Sequence, residues 1–94
     1  MSEYRTVHIR VEGRVQGVGY RAWVESTARE LQLSGWVRNR FDRSVEAVLH
    51  GPADVVDDML KRCEKGPPAA RVDRVEVRPE EGGSYTSFDV KPTA

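Results

Sequence analysis

Two apolar periodicities take turns along this chain, and their order restricts the fold more than any other feature. Thr6-Val7-His8-Ile9-Arg10-Val11-Glu12 alternates apolar and polar residues, the period-two pattern of a strand with one buried face. Tyr20, Val24, Ala28 and Leu31 then recur at helical spacing, which puts them on one face of a helix ending near Gln32 to Gly35. Gly13 to Gly19, with three glycines, is the loop between them. Trp36-Val37-Arg38-Asn39 reads as a second strand, Arg40 to Ser44 as a polar turn, and Val45-Glu46-Ala47-Val48-Leu49-His50 as a third strand.

Gly51-Pro52 opens a second helix, with proline suited to its first position. Val55, Val56, Met59, Leu60 and Cys63 form its apolar stripe, and Gly66-Pro67-Pro68 stops it. Val72, Val75 and Val77 mark a fourth strand, Pro79 to Tyr85 a loop, and Thr86 to Val90 a possible short edge strand. The order β-α-β-β-α-β is the split βαβ, ferredoxin-like α+β arrangement. Each helix has one apolar stripe, so both should cover a single face of an antiparallel sheet. Residues 1–94 fit one domain. In this topology the first and second strands run parallel with the third between them. Gly13 and Asn39 therefore finish at the same sheet edge, two strand spacings or about 10 Å apart.

Composition removes several classes of function. Cys63 is the single cysteine, so neither an intrachain disulfide nor a cysteine-based zinc site can form. Met1-Ser2-Glu3-Tyr4-Arg5 has no apolar leader core, and no stretch approaches a membrane span of ~20 residues. The expectation is a soluble cytoplasmic protein, and a chain this small and polar is expected to be a monomer. Fifteen basic residues cancel fifteen acidic ones, which weighs against nucleic acid or membrane as partner. The balance is uneven: residues 1–43 hold eight arginines against five acids. A small anionic ligand held by the first half is compatible with that.

The loop before the first helix is where such an anion would sit. Its glycines let backbone N–H groups curl inward into an anion-binding concavity, and the helix adds free N–H groups and its positive end. Arg21, in the first turn, adds a bidentate cation. The same spacing also suits a plain tight turn followed by a solvated arginine, and the Gly-Lys-Ser/Thr of a nucleotide-binding P-loop is absent. Asn39 can hold a water opposite a leaving group, or simply open the next turn. His8 and His50 are isolated strand residues without a third metal ligand. Cys63 lies on a core stripe, as an inert thiol would. Asp57-Asp58 and Glu80-Glu81 read as solvated acids.

The run Gly13-Arg14-Val15-Gln16-Gly17-Val18-Gly19-Tyr20-Arg21 resembles the first signature of the acylphosphatase family, and Gly35-Trp36-Val37-Arg38-Asn39 resembles the second. The likeness extends over essentially the whole chain, including Val45-Glu46, Phe88 and Val90. It implies hydrolysis of acyl phosphates, small-molecule substrates, with no metal and no cofactor. By resemblance Arg21 binds the phosphate and Asn39 orients the attacking water. Arg14, Val15, Gln16, Gly17, Val18, Gly19 and Tyr20 would form the amide cradle. Three positions depart from the family pattern. Gln32 stands where glycine is frequent, Asp42-Arg43-Ser44 replaces an Asp-Gly turn, and Lys91-Pro92-Thr93-Ala94 replaces an aromatic ending. The rival reading is a binding module of the same fold for a small anion or RNA. RNA readers stack bases on sheet aromatics, whereas Val45 to His50 has none and the first strand offers only His8. A related carbamoyl-phosphate domain of hydrogenase-maturation proteins comes with zinc-binding cysteine pairs, which this chain lacks.

Overall fold

The elements are β1 (Tyr4–Arg14), α1 (Tyr20–Glu30), β2 (Ser34–Asn39), β3 (Val45–Pro52), α2 (Ala53–Lys65), β4 (Arg71–Pro79) and β5 (Phe88–Val90). The computed structural model describes residues 3–81 and 83–94. Met1 and Ser2, and Gly82 within the Pro79–Tyr85 loop, lie outside the described residues. The strand order is β4-β1-β3-β2-β5. β3 pairs antiparallel with both β1 and β2, as the split βαβ arrangement requires, and β4 pairs antiparallel with β1.

The sheet is not wholly antiparallel, because β5 runs parallel to β2. The reason is topological. β4 points opposite to β1, and hence opposite to β2, and the connection before β5 reverses the chain as it reaches the far edge. Two backbone bonds secure that edge, from Gly35 N–H to the Ser87 carbonyl and from Lys91 N–H to the Val37 carbonyl, both 2.9 Å.

Alternation buries Val7, Ile9 and Val11 of β1, Val37 of β2, and Ala47 and Leu49 of β3 on one face. Tyr20, Val24 and Ala28 of α1 and Val56, Met59 and Cys63 of α2 complete the same core, with Phe88. α1 lies over β2 and β5, while α2 lies over β3, β4 and β1. Each fully buried Val or Leu contributes roughly 1.5–3 kcal/mol, so this stripe-on-sheet contact is the main source of stability. Val55 and Leu60 flank the α2 stripe and are only partly buried. The Tyr20 hydroxyl donates to the Cys63 carbonyl at 2.7 Å and so links the two helices. Burial pushes the Tyr20 hydroxyl pKa far up and the Cys63 thiol up to about 12, so Cys63 is an inert core thiol.

On the opposite face a row His8–Val48–Trp36 crosses three strands. His8 Nε2 meets Glu46 Oε2 at 2.5 Å, and Arg38 Nε donates to Glu46 Oε1 at 2.7 Å. Burial raises the pKa of Glu46, but the hydrogen bonds from His8 and Arg38 outweigh it and hold the carboxyl below its usual value. His50 instead meets Thr6 Oγ1 at 2.6 Å. The two histidines thus have separate local partners.

Two local features differ from the sequence reading. β1 continues past Glu12 through a register shift at Glu12/Gly13, and Arg14 still pairs with Arg71 of β4. Pro52 is the N-cap of α2 rather than its first helical residue, because its backbone (φ −55°, ψ 138°) is still extended as β3 ends. Gln32 does take the left-handed conformation (φ 58°), and so does Arg43 (φ 78°) in the β2–β3 turn. Each costs about 1 kcal/mol relative to glycine.

Candidate active site

β1 ends at Arg14 and the chain turns sharply. Val15 dives into the core at 1% exposure and anchors the start of the loop. Gly17 (φ 75°) and Gly19 (φ 82°) then take left-handed conformations. A Cβ at either position would meet no atom within 4 Å, so it is the backbone conformation, not space, that calls for glycine. Gly19 is the N-cap of α1, with no side-chain cap and no acid in the first turn. The first helical bond runs from Trp23 N–H to the Gly19 carbonyl at 2.9 Å. The amides of Tyr20, Arg21 and Ala22 therefore precede it, at the positive end of the helix.

Gln16 ties this loop to the other half of the site. Its Nε2 donates to the carbonyls of Arg40 at 2.7 Å and Ser44 at 2.8 Å, the two ends of the β2–β3 turn. That turn is closed by Arg40 N–H donating to the Ser44 carbonyl at 2.9 Å, and by Asp42 Oδ1, which accepts from Ser44 N–H and its hydroxyl. Those bonds from Ser44 hold the Asp42 carboxyl below its ordinary pKa. Asn39 ends β2, paired with Val45, and so stands across from the loop.

The result is a cleft of about 190 Å³ lined by Val15, Gln16, Gly17, Gly19, Tyr20, Arg21, Ala22 and Asn39. Two polar groups on it lack internal partners. Among the described residues no carboxylate pairs with Arg21, whereas Arg38 and Arg40 are both held by Glu46. Asn39 Oδ1 is buried, and among the described residues no donor reaches it. A buried acceptor left unpaired costs roughly 1–3 kcal/mol, a cost that an incoming O–H donor relieves. The cleft wall contains no carboxylate and no imidazole.

Of the residues singled out from sequence, Val15, Gln16, Gly17, Gly19, Tyr20, Arg21 and Asn39 share this cleft. Val18 packs against the core instead. Arg14 ends β1 with its side chain exposed, on a neighbouring cleft that it shares with Arg43. The tie made by the Gln16 side chain was not foreseeable, because its two acceptors are carbonyls 24 and 28 residues away. Ala22 and Arg43 were also missed. A non-glycine residue standing where the family pattern has Asp-Gly was the available signal for Arg43.

The sequence pattern of the family described as Acylphosphatase matches residues 7–90. This chain belongs to the acylphosphatase family. An acylphosphatase of Rhizorhabdus wittichii is 54% identical over 85 residues, covering 90% of this chain and 86% of that protein. The acylphosphatase of Rhodospirillum rubrum is 48% identical over 89 residues, covering 95% and 98%. A solved acylphosphatase from Coxiella burnetii superposes with a TM-score of 0.90 at 36% identity, over 94% of this chain and 93% of that one. The acylphosphatase match runs from Val7 in β1 to Val90 in β5, so the cleft and its two unpartnered groups fall wholly inside it.

Proposed function

We propose that this chain hydrolyses acyl phosphates to a carboxylate and inorganic phosphate, with Arg21 and the loop amides holding the phosphoryl group and Asn39 orienting the water. One observation carries the division of labour. An unpaired guanidinium and an unpartnered buried amide oxygen line the same cleft at a helix N-terminus. The cation and the amides match a dianion; the acceptor matches a water O–H.

The chemistry asks for little more. The water oxygen attacks phosphorus, the bond from phosphorus to the acyl oxygen breaks, and the carboxylate leaves with the electron pair. Its conjugate acid has a pKa near ~4, so it departs unprotonated and no general acid is needed. The water proton passes to a phosphoryl oxygen of the substrate. The transition state is loose, so positioning and charge stabilisation supply most of the acceleration. Tyr20, locked to Cys63, fixes the helix end, and Gln16 fixes the distance to Asn39.

The same reading makes the chain a cytoplasmic monomer, supported by its single buried cysteine and its balanced charge. The test is benzoyl phosphate hydrolysis by the wild type, Arg21→Ala and Asn39→Ala. Each variant should lose at least ~10²-fold in turnover, the scale of removing a preorganised donor, with an unchanged circular dichroism spectrum. Wild-type rates in either variant overturn the assignment.

A further inference from the structure

Nine of the twelve arginines face a carboxylate. Among the described residues, Arg14, Arg21 and Arg43 do not, although the chain is neutral overall. Arg21 belongs to the phosphoryl cleft. The other two share a second cleft of about 390 Å³, with Gly13, Val15, Gln16 and Gly17. Val15, Gln16 and Gly17 line both clefts, so the phosphate loop is their common wall.

Arg43 is also held there against its backbone preference. It stands at φ 78°, a region that favours glycine, in a turn clamped by Gln16 on one side and Asp42 on the other. Glu12 and Asp42, which line a further cleft together with Arg43, form no ion pair with it. Asp42 pairs with Arg10, and Glu12 lies 3.8 Å from the same arginine. Two arginines with no carboxylate partner among the described residues thus line the cleft adjoining the cradle. Unpaired arginines of this kind match carboxylate or phosphate oxygens.

We propose that Arg43 and Arg14 form a second anion subsite, which selects acyl phosphates whose acyl group itself ends in a negative charge. The inference rests on the acyl phosphate reading above. With the phosphoryl group in the cradle, a short acyl chain crosses the Val15–Gly17 wall and brings its terminal anion to the two arginines. Arg43 is then a specificity residue rather than a catalytic one.

The test compares succinyl phosphate, which carries a terminal carboxylate, with butyryl phosphate, a neutral chain of similar length. Values of kcat/KM are measured for the wild type, Arg43→Gly and Arg43→Glu. Glycine suits φ 78°, which makes Arg43→Gly the variant least at risk of misfolding. The wild type should prefer succinyl phosphate. Arg43→Gly should cut that preference about fivefold or more, the scale of a hydrogen bond to a charged group. Arg43→Glu should invert it, and 0.5 M salt should narrow all the differences. A ratio within twofold of wild type in both variants overturns the subsite while hydrolysis itself stands. An equal fall for both substrates overturns it too, since that marks a merely structural role. No hydrolysis of either substrate by the wild type would sink the acyl phosphate reading, and the subsite with it.

Discussion

The two strand-to-helix junctions of this fold occupy equivalent places in the topology and are built in opposite ways. β1 reaches α1 through residues 15–19, with two left-handed glycines, no side-chain cap and no acid in the first helical turn. β3 runs straight into α2 at Pro52-Ala53, and Asp54 sits in that first turn. The Ala53 N–H is already committed to the Glu3 carbonyl at 2.8 Å. A helix N-terminus attracts anions through free amides and its dipole, and at α2 one amide is occupied and a negative charge is in place. Anion affinity is therefore not a property of the fold. On the proposed reading it belongs to the junction that has a loop, glycines and no competing carboxylate.

Four substitutions probe that contrast. Ala22→Asp lines the cleft and gives α1 the acid that α2 has. It should lower kcat/KM by ~10²-fold, about 2.7 kcal/mol for a like charge beside the phosphoryl group, without unfolding the protein. Steady-state kinetics at low salt decides it, and an unaffected enzyme breaks the comparison. Next in size is a change where the helices stop. Gly66 after α2 has φ 67° and ψ −164°, a region open essentially only to glycine. A Cβ there would lie 2.6 Å from the Tyr20 ring. Gly66→Ala should cost about 2 kcal/mol or more, read as a fall in the urea midpoint.

Just past the Leu31 C-cap of α1 stands Gln32, a non-glycine residue with φ 58°. Gln32→Gly should stabilise the chain by up to about 1 kcal/mol in the same urea assay. A destabilised variant would mean that the glutamine side chain makes up for its backbone. Smallest of the four, Asp54→Ala should cost about 0.5 kcal/mol through the α2 dipole while leaving kcat/KM as it was. A change in activity would show that the two junctions are not independent.

Much of this was legible because periodicity reports burial directly. The alternation of Val7, Ile9 and Val11 and the helical spacing of Tyr20, Val24 and Ala28 both mark the core face. The pairing of β1 and β2 around β3 then put loop and Asn39 at one edge. What escaped depends on contacts that periodicity does not encode. The parallel β5 follows from where a loop crosses, and three residues, Phe88–Val90, are too few to declare a direction. Arg14 reads as loop by its neighbours, yet it remains in β1 because the shift at Glu12/Gly13 keeps it paired with Arg71. The subsite at Arg43 was hidden because an arginine in a polar turn looks like any solvated charge until its lack of a partner is visible.

The central claim is best tested by titrating inorganic phosphate into ¹⁵N-labelled protein and following every backbone amide by NMR. The expected result is saturable shifts at residues 16–22 and the Asn39 side chain, abolished there by Arg21→Ala, with Ala53 to Val55 unmoved. Shifts of similar size at the α2 junction, or binding that survives Arg21→Ala, would contradict the account.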